Sequence, residues 1–589
     1  MISRPGTTPD SDAFRASPDG SLSPWGSTPK LAAVGFVLAL GALRVWIGRY
    51  SISPDGMSYL DLGDATFHRR WFDSINGLWS PLYAWLLGAI MFVVRPSRGW
   101  EFPVAHVVNF LIFVVAFLCF ELLLRALARD LREDTAASGA SGFSSALSER
   151  ALFALGYAVF LWTSLDVITV WALAPDLLVA AFVYLTAALM LHLRRRGSLG
   201  LAVALGVTLG FGYLAKSVMF PLGFVVLFLT ALIAPQGRRG KFLLPAAFCF
   251  LAVCAPWVAA LSHVKDRFTF GDAGLVNYSS GVSPGGRVIN WQGDPPASGV
   301  PVHPTRKLFS HPDIFEFANP VGGTYPPSYD PSYWNEGRRW TWDVRAQVRT
   351  LLMHGVMYAG LLLRAQPGLL AAALALFLAG GIASVRALLR NWFLLAWCVA
   401  ALGLYMLVHV EVRYVGAFVA VLWMVILFEL RIPELGRSVS RNKLAEYLAL
   451  AVVVTILLSL ADGTVRAIRE GGPFSARGDI AVADDLEALG LRPGEQIAVI
   501  GDGNWFYWAR LGRYKIVSTI MASDSTDYWN LAVEQRQGLN RVFTTTGARA
   551  LITPTPPFFS KGDGWERVGA TEYYLHWLPG QVDHASAGP

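Results

Sequence analysis

Four carboxylates, Asp55, Asp61, Asp64 and Asp73, fall in one stretch, residues 51–85, that follows the first apolar segment directly and reads SISPDGMSYLDLGDATFHRRWFDSINGLWSPLYAW. Carboxylates beside a bilayer are costly unless paired or used, so this stretch is the first candidate for a site. A second group lies in short turns between apolar segments. Asp166 and Asp176 bracket DVITVWALAPD, Lys216 falls in GYLAKSVMF, and HVEVRY (409–414) supplies Glu411, Arg413 and Tyr414. A Lys or Arg at the end of a span is either a snorkelling anchor or a ligand group. A lysine point charge and an arginine fork together suit a phosphate or pyrophosphate on a lipid carrier. A carboxylate beside them can take the proton of an attacking hydroxyl while the cations stabilise charge gathering on the departing phosphate. Asp55, in SPDGMSYL, is the candidate base, and Tyr59 of the same segment joins Asp166, Asp176, Lys216, Glu411, Arg413 and Tyr414 as a candidate substrate contact. Desolvation raises the pKa of such an aspartate and a neighbouring Lys216 or Arg413 lowers it; the sequence leaves that balance open.

The elements that must position these residues are membrane spans. Of 589 residues 54% are hydrophobic and only 15% charged, with a mean hydropathy of +0.43, which is the composition of an integral membrane protein. Stretches long enough to cross occur near 31–48, 103–124, 151–166, 177–193, 198–215, 218–234, 242–262, 367–385, 392–408, 414–430 and 444–461. Segments 79–94 and 347–363 read instead as amphipathic helices at the surface. With the N-terminus cytoplasmic, about eleven spans place the arginines at 194–196, Arg238, Arg239 and Lys241, Arg386 and Arg390, and Arg431, Arg437, Arg441 and Lys443 inside. Lys216 and Arg413 alone break that asymmetry in the short outer loops, which favours a ligand role for them. The net charge of +7 is thus a topology signal, and no nucleic-acid partner is expected. Cys119, Cys249, Cys254 and Cys398 lie inside apolar runs without ligand spacing and read as buried fillers.

Residues 1–29, rich in Ser, Pro, Gly and Asp, read as a disordered cytoplasmic tail, and the apolar run after Lys30 as a retained anchor. Residues 30–462 form the expected transmembrane domain, with long outer loops at 49–102 and 263–366. The second loop, with GGTYPPSYDPSYWNEG (322–337), has the length of a lid or binding loop, and its His303 and His311 read as surface histidines. From 463 to 589 the composition changes to that of a small extracytoplasmic α/β domain: helix, turn, strand, Gly turn, helix and strand, then strands at ALITP (550–554) and EYYLHWL (572–578). Its GDG (501–503) lacks the full spacing of a dinucleotide fingerprint.

Taken in order, Asp55 after span one, SPLYAW (80–85), APD (174–176), GYLAKS with Lys216 and VRY with Arg413 and Tyr414 resemble the GT-C glycosyltransferases. The likeness is greatest to the branch with protein O-mannosyltransferases and the lipid A aminoarabinose transferase, and it covers roughly residues 30–430. The resemblance implies a polytopic α-helical membrane enzyme that moves a sugar from a polyprenyl-phosphate donor to a glycan, lipid or protein acceptor on the outer face. It makes Asp55 the base, sets Lys216 and Arg413 on the lipid phosphate, and puts Asp176 near the sugar. The chain departs from the family in Asp55–Gly56, where an Asp-Glu pair is usual, and in Ser80, where relatives have a lysine. No cofactor is required by the pattern, although Asp55, Asp61 and Asp176 are compatible with a divalent cation. A lipid-linked glycan ligase or polymerase shares this architecture. A membrane transporter or flippase without transfer chemistry is the other alternative, disfavoured because the polar residues cluster at one surface rather than mid-membrane and no clear repeat is seen. The Ala-, Arg- and Gly-rich usage suits a bacterial inner membrane.

Overall fold

The computed structural model describes residues 27–137, 143–234, 237, 239–283, 305–317, 321–330, 341–433, 439–470, 475–554 and 564–579. The N-terminal tail to residue 26, His303 and residues 331–337 lie outside the described residues. The chain opens with α1 (Ser27–Ile47), lays α2 (Pro54–Phe67) and α3 (Pro81–Val94) over one end of the helical body, and continues through α4 (Glu101–Ala137), α5 (Glu149–Trp162), α6 (Asp176–Arg196), α7 (Leu199–Ala215), α8 (Met219–Ile233) and α9 (Arg239–Val264). After α10 (Ala273–Gly281) and the single turn α11 (Pro326–Tyr329) come α12 (Val344–Ala359), α13 (Pro367–Gly380), α14 (Ile382–Arg390), α15 (Trp392–Val408), α16 (Val412–Glu429) and α17 (Val439–Glu470).

Among the described residues seven helices are long and apolar enough to cross a membrane, and nine if each of two bent pairs counts as one span. With the shorter apolar helices α7 and α8, each of the eleven apolar stretches read from the sequence has its helix. The bends have local causes. Residues 344–363 meet α13 at 79°, where Pro367 starts a new helix, and α14 meets α15 at 78° across Asn391. The expected span 367–385 is therefore interrupted: α13 stops at Gly380 because Gly381 adopts a φ of 51°. Likewise 347–363, expected as a separate surface helix, runs into this bent pair.

Polar ties fix α2, α3 and the turn before α6 to the body. Tyr83 donates to Asn109 Oδ1 at 2.7 Å, and Asn109 donates to the carbonyls of Val170 and Ala172 at 3.0 and 2.7 Å. Gly63 and Gly88 let α2 and α3 touch: a methyl group on Gly63 would lie 2.9 Å from the Gly88 Cα. At the far ends of the same helices Asp130 gathers Arg194, Arg195 and Arg390, and Glu429 takes Arg390 and Arg431. A short antiparallel pair, β1 (Phe143–Ser145) with β4 (Arg431–Pro433), lies there too.

The α2 end carries a seven-stranded sheet formed from two distant parts of the chain. It contains β2 (Thr305–Phe309), β3 (Ile314–Phe317), β5 (Gln496–Ile500), β6 (Lys515–Ile520), β7 (Ala550–Pro554), β8 (Trp565–Arg567) and β9 (Tyr573–Trp577), in the order β2-β3-β6-β5-β7-β9-β8. The three central strands β6, β5 and β7 are parallel and the others antiparallel. Helices α18 (Arg477–Ala488), α19 (Tyr507–Leu511), α20 (Ser525–Asn530) and α21 (Val533–Thr544) complete the unit. The hairpin 305–317 comes from the long loop, so the tail alone does not make the sheet; exposed His311 sits at its turn. The Gly501–Gly503 turn is filled by a protein side chain, since a methyl group on Gly503 would lie 2.6 Å from the Tyr325 ring. The unit docks on the body through Arg510, which is 3% exposed and reaches Asp61 and Glu101, each at 2.6–2.7 Å, and Asp64 at 2.7 Å.

Candidate active site

Four helix ends meet under this sheet. Asp55 stands in the first turn of α2, where Pro54 presets the helical φ, Ser53 accepts the N–H of Gly56 at 3.4 Å, and a negative charge is favoured by the helix dipole. Tyr59 follows one turn later on the same face. Asp176 opens α6 after Pro175. Lys216 ends α7 in an extended conformation that separates it from α8. Glu411 precedes α16, and Arg413 and Tyr414 form its first turn.

Arg413 lies at the centre. Its Nη2 donates to Asp55 Oδ2 at 2.6 Å, its Nε donates to Glu411 Oε2 at 3.2 Å, and its Nη1 is 3.6 Å from Asp176 Oδ2. Lys216 Nζ donates to Asp176 Oδ1 at 2.5 Å and stands 3.2 Å from the centre of the Tyr414 ring. Asp176 Oδ2 is buried and accepts no hydrogen bond from the described residues. All these groups, with Tyr59, line one cavity of about 610 Å³, within the roughly 300–1,000 Å³ of ordinary small-ligand sites. Trp79, Ser80, residues 273–277 of α10, Tyr405 and His409 complete its wall.

Burial sets the protonation of this wall. It pushes the Tyr59 phenol well above the usual tyrosine range, and nearby Asp55 and Asp176 add to the rise. It also lowers the Lys216 ammonium below the usual lysine range in spite of Asp176. His409 and Arg413 hold the Glu411 carboxyl down to about 2. Chemically, the cavity offers one lysine and one arginine for an anion, with a quarter-exposed carboxylate, Asp55, beside them. Among the described residues no three His, Cys, Asp or Glu side chains come together as metal ligands, and Asp55 and Asp176 both turn to Arg413.

Asp166, grouped with these residues on sequence, does not line the cavity. A wide helical turn over 163–167 adds a residue to the end of α5, and the carboxylate pairs with Arg44 of α1 instead. Asp61 and Asp64 serve the docking of the tail, and Asp73 pairs with Arg70 at 3.5 Å on the surface. Ser80 also lines the cavity, and the cationic part of the lining rests on Lys216 and Arg413. Sequence reasoning did not single out Trp79, Tyr405 or the α10 residues. Trp79 adjoins SPLYAW, whereas Tyr405 lies in an apolar run that gives no sign of it.

No protein-family model and no curated protein sequence matches the chain. Among solved structures it is similar to that of ArnT from Cupriavidus metallidurans bound to undecaprenyl phosphate, with a TM-score of 0.50 and 13% identity over 94% of this chain and 98% of that one. The apo state of ArnT from the same organism gives 0.46 and 14% over 92% and 98%. An Archaeoglobus fulgidus oligosaccharyltransferase tethered with an acceptor peptide gives 0.44 and 11% over 89% and 69%. The first likeness, spanning nearly the whole of both chains, shows the fold: a polytopic α-helical membrane protein of GT-C-like architecture with a small sheet-containing unit near its C-terminus.

Proposed function

We propose that the chain is a membrane glycosyltransferase that moves a sugar from a polyprenyl-phosphate donor to a hydroxyl of a glycan, lipid or protein acceptor. The observation that carries this reading is the meeting of Asp55, Lys216, Asp176 and Arg413, from four separate helices, around one cavity. Undecaprenyl phosphate bound to ArnT, the similar structure, supports the choice of carrier. Lys216 and Arg413 hold the lipid phosphate, and Asp176 orients both cations and faces the sugar. When the phosphate takes up Arg413, Asp55 is freed from its ion pair and accepts the acceptor's hydroxyl proton. The acceptor oxygen bonds to the anomeric carbon, the bond from that carbon to the phosphate oxygen breaks, and the electron pair leaves on the phosphate, where the two cations stabilise it. Tyr59 and Tyr414 supply flat, partly polar walls for the sugar.

The site, the long loops and the tail unit share one end of the body, which we assign to the outer face of a bacterial inner membrane, with the N-terminus cytoplasmic. Residues 463–589, joined by the 305–317 hairpin, then form an extracytoplasmic accessory unit on the transmembrane domain. The test is retention of an undecaprenyl-phosphate sugar by the full chain in nanodiscs, read by mass spectrometry. Retention by the wild type and its loss in Arg413→Ala supports the reading; equal retention by both removes the lipid phosphate from this cavity and ends it.

A further inference from the structure

A second cavity, of about 750 Å³, lies on the other side of α2. It is bounded by the C-terminal ends of α2 and α3, the Gly323–Thr324 turn and the segment 510–515 of the tail unit, and it shares no lining residue with the Asp55 cavity. Its floor carries two cations against three carboxylates, one negative charge in excess. Arg510 and Arg513 are divided among Asp61, Asp64 and Glu101, the last two taking Arg513 at 3.1 and 2.7 Å. Its mouth is basic. Arg70, Arg95 and Lys515 line the same space. Arg70 pairs with Asp73 at 3.5 Å, and Lys515 faces Asp61 and Asp64 of the floor. Among the described residues Arg95 donates to the Phe92 carbonyl of its own helix at 3.4 Å, and Lys515 to the Gly323 carbonyl at 2.8 Å.

Phe92 of the lining is exposed, and so are Trp71, Phe72 and Val93, which follow lining Arg70 and Phe92 in the chain. Exposed tryptophan beside arginine at the end of a helical body marks the headgroup level of a bilayer. A basic cavity opening at that level meets the phosphates of lipids before it meets solutes, and each Lys or Arg there adds to the attraction for an anionic lipid.

We propose that this cavity is a separate binding site for the phosphate of an anionic lipid headgroup, held by Arg70, Arg95 and Lys515. It does not depend on transfer chemistry in the Asp55 cavity. The experiment places the full chain in phosphatidylcholine nanodiscs doped with a phosphatidylglycerol that carries a photoreactive group near its phosphate. The labelled peptides are then identified by mass spectrometry. Labelling is expected on residues 88–96 and 513–515. It should fall roughly 30-fold in Arg70→Gln/Arg95→Gln, whose side chains are exposed, and about 5-fold in Lys515→Gln at the inner wall. Wild-type labelling in both variants overturns the site. Suppression by an equal concentration of glycerol 1-phosphate overturns the lipid as its source in favour of a free phosphate ester.

Discussion

Arg413 and Asp55, 358 residues apart in the chain, are joined by a 2.6 Å hydrogen bond across the cavity. The candidate base is thus already paired with the cation assigned to the leaving phosphate. In the proposed reaction this pairing ties the base to donor binding, because the phosphate competes with Asp55 for Arg413.

Asp55→Asn keeps the shape of the side chain but cannot take a proton. Transfer should fall by about 10²- to 10⁴-fold, the usual worth of a general base, while donor retention in nanodiscs stays within a fewfold of wild type. Full activity in this variant would remove Asp55 from the chemistry.

Lys216 is the second cation and makes its bond to buried Asp176. Loss of a hydrogen bond to a charged group costs about 1.5–3 kcal/mol, so Lys216→Ala should raise the donor KM by about 10- to 100-fold. Lys216→Arg should recover part of it, since charge is restored on a different geometry. A donor KM equal to wild type in Lys216→Ala would leave the lysine as a membrane anchor only.

These residues were legible because of where they break a pattern. Lys216 and Arg413 are cations on the end of the helical body opposite the arginines of 194–196, Arg390 and Arg431, and the turns that carry them are short enough to read. Asp166 misled for a local reason: it shares the turn 166–176 with Asp176, but the wide turn at the end of α5 carries it towards Arg44. The docking of Arg510 on Asp61 spans 449 residues and leaves no local trace. The same holds for β3, where Ser518 of β6 donates to the Phe315 carbonyl at 2.8 Å. Helix periodicity is short-ranged and survives in one segment. Strand partners and buried ion pairs are set by the fold as a whole.

Asp479, in the first turn of α18, is a titratable group of the tail unit that should be visible in stability. Burial pushes its carboxyl from 3.8 up to about 7, more than the 3.0 Å hydrogen bond from the Trp508 N–H can offset. Between those values the folded chain keeps a proton that the unfolded chain has released, so stability falls as pH rises from about 4 to about 7 and is level above that. Asp479→Asn, which still accepts from Trp508, should flatten this part of the thermal-unfolding profile. Parallel profiles for variant and wild type would count against the buried carboxyl.

Arg510 tests how the tail unit is held. Its guanidinium meets three carboxylates in a closed pocket: Asp61 at 2.6 Å, and Asp64 and Glu101 at 2.7 Å. Burial alone would lower its charge affinity and raise that of Asp64 for protons, but Arg510 ends well above the usual range and Asp64 below its own because each faces the other. Arg510→Gln leaves those acids without their buried partner, which costs about 3–5 kcal/mol when one side of a buried pair is removed. Arg98 also bridges body and tail, but to Asp484 and Glu487, which are 60% and 51% exposed; its loss should cost about 1 kcal/mol or less, as for surface pairs. Thermal unfolding of the two variants side by side separates the cases. An Arg510→Gln chain as stable as Arg98→Gln would mean that the buried cluster does not hold the sheet unit to the membrane body.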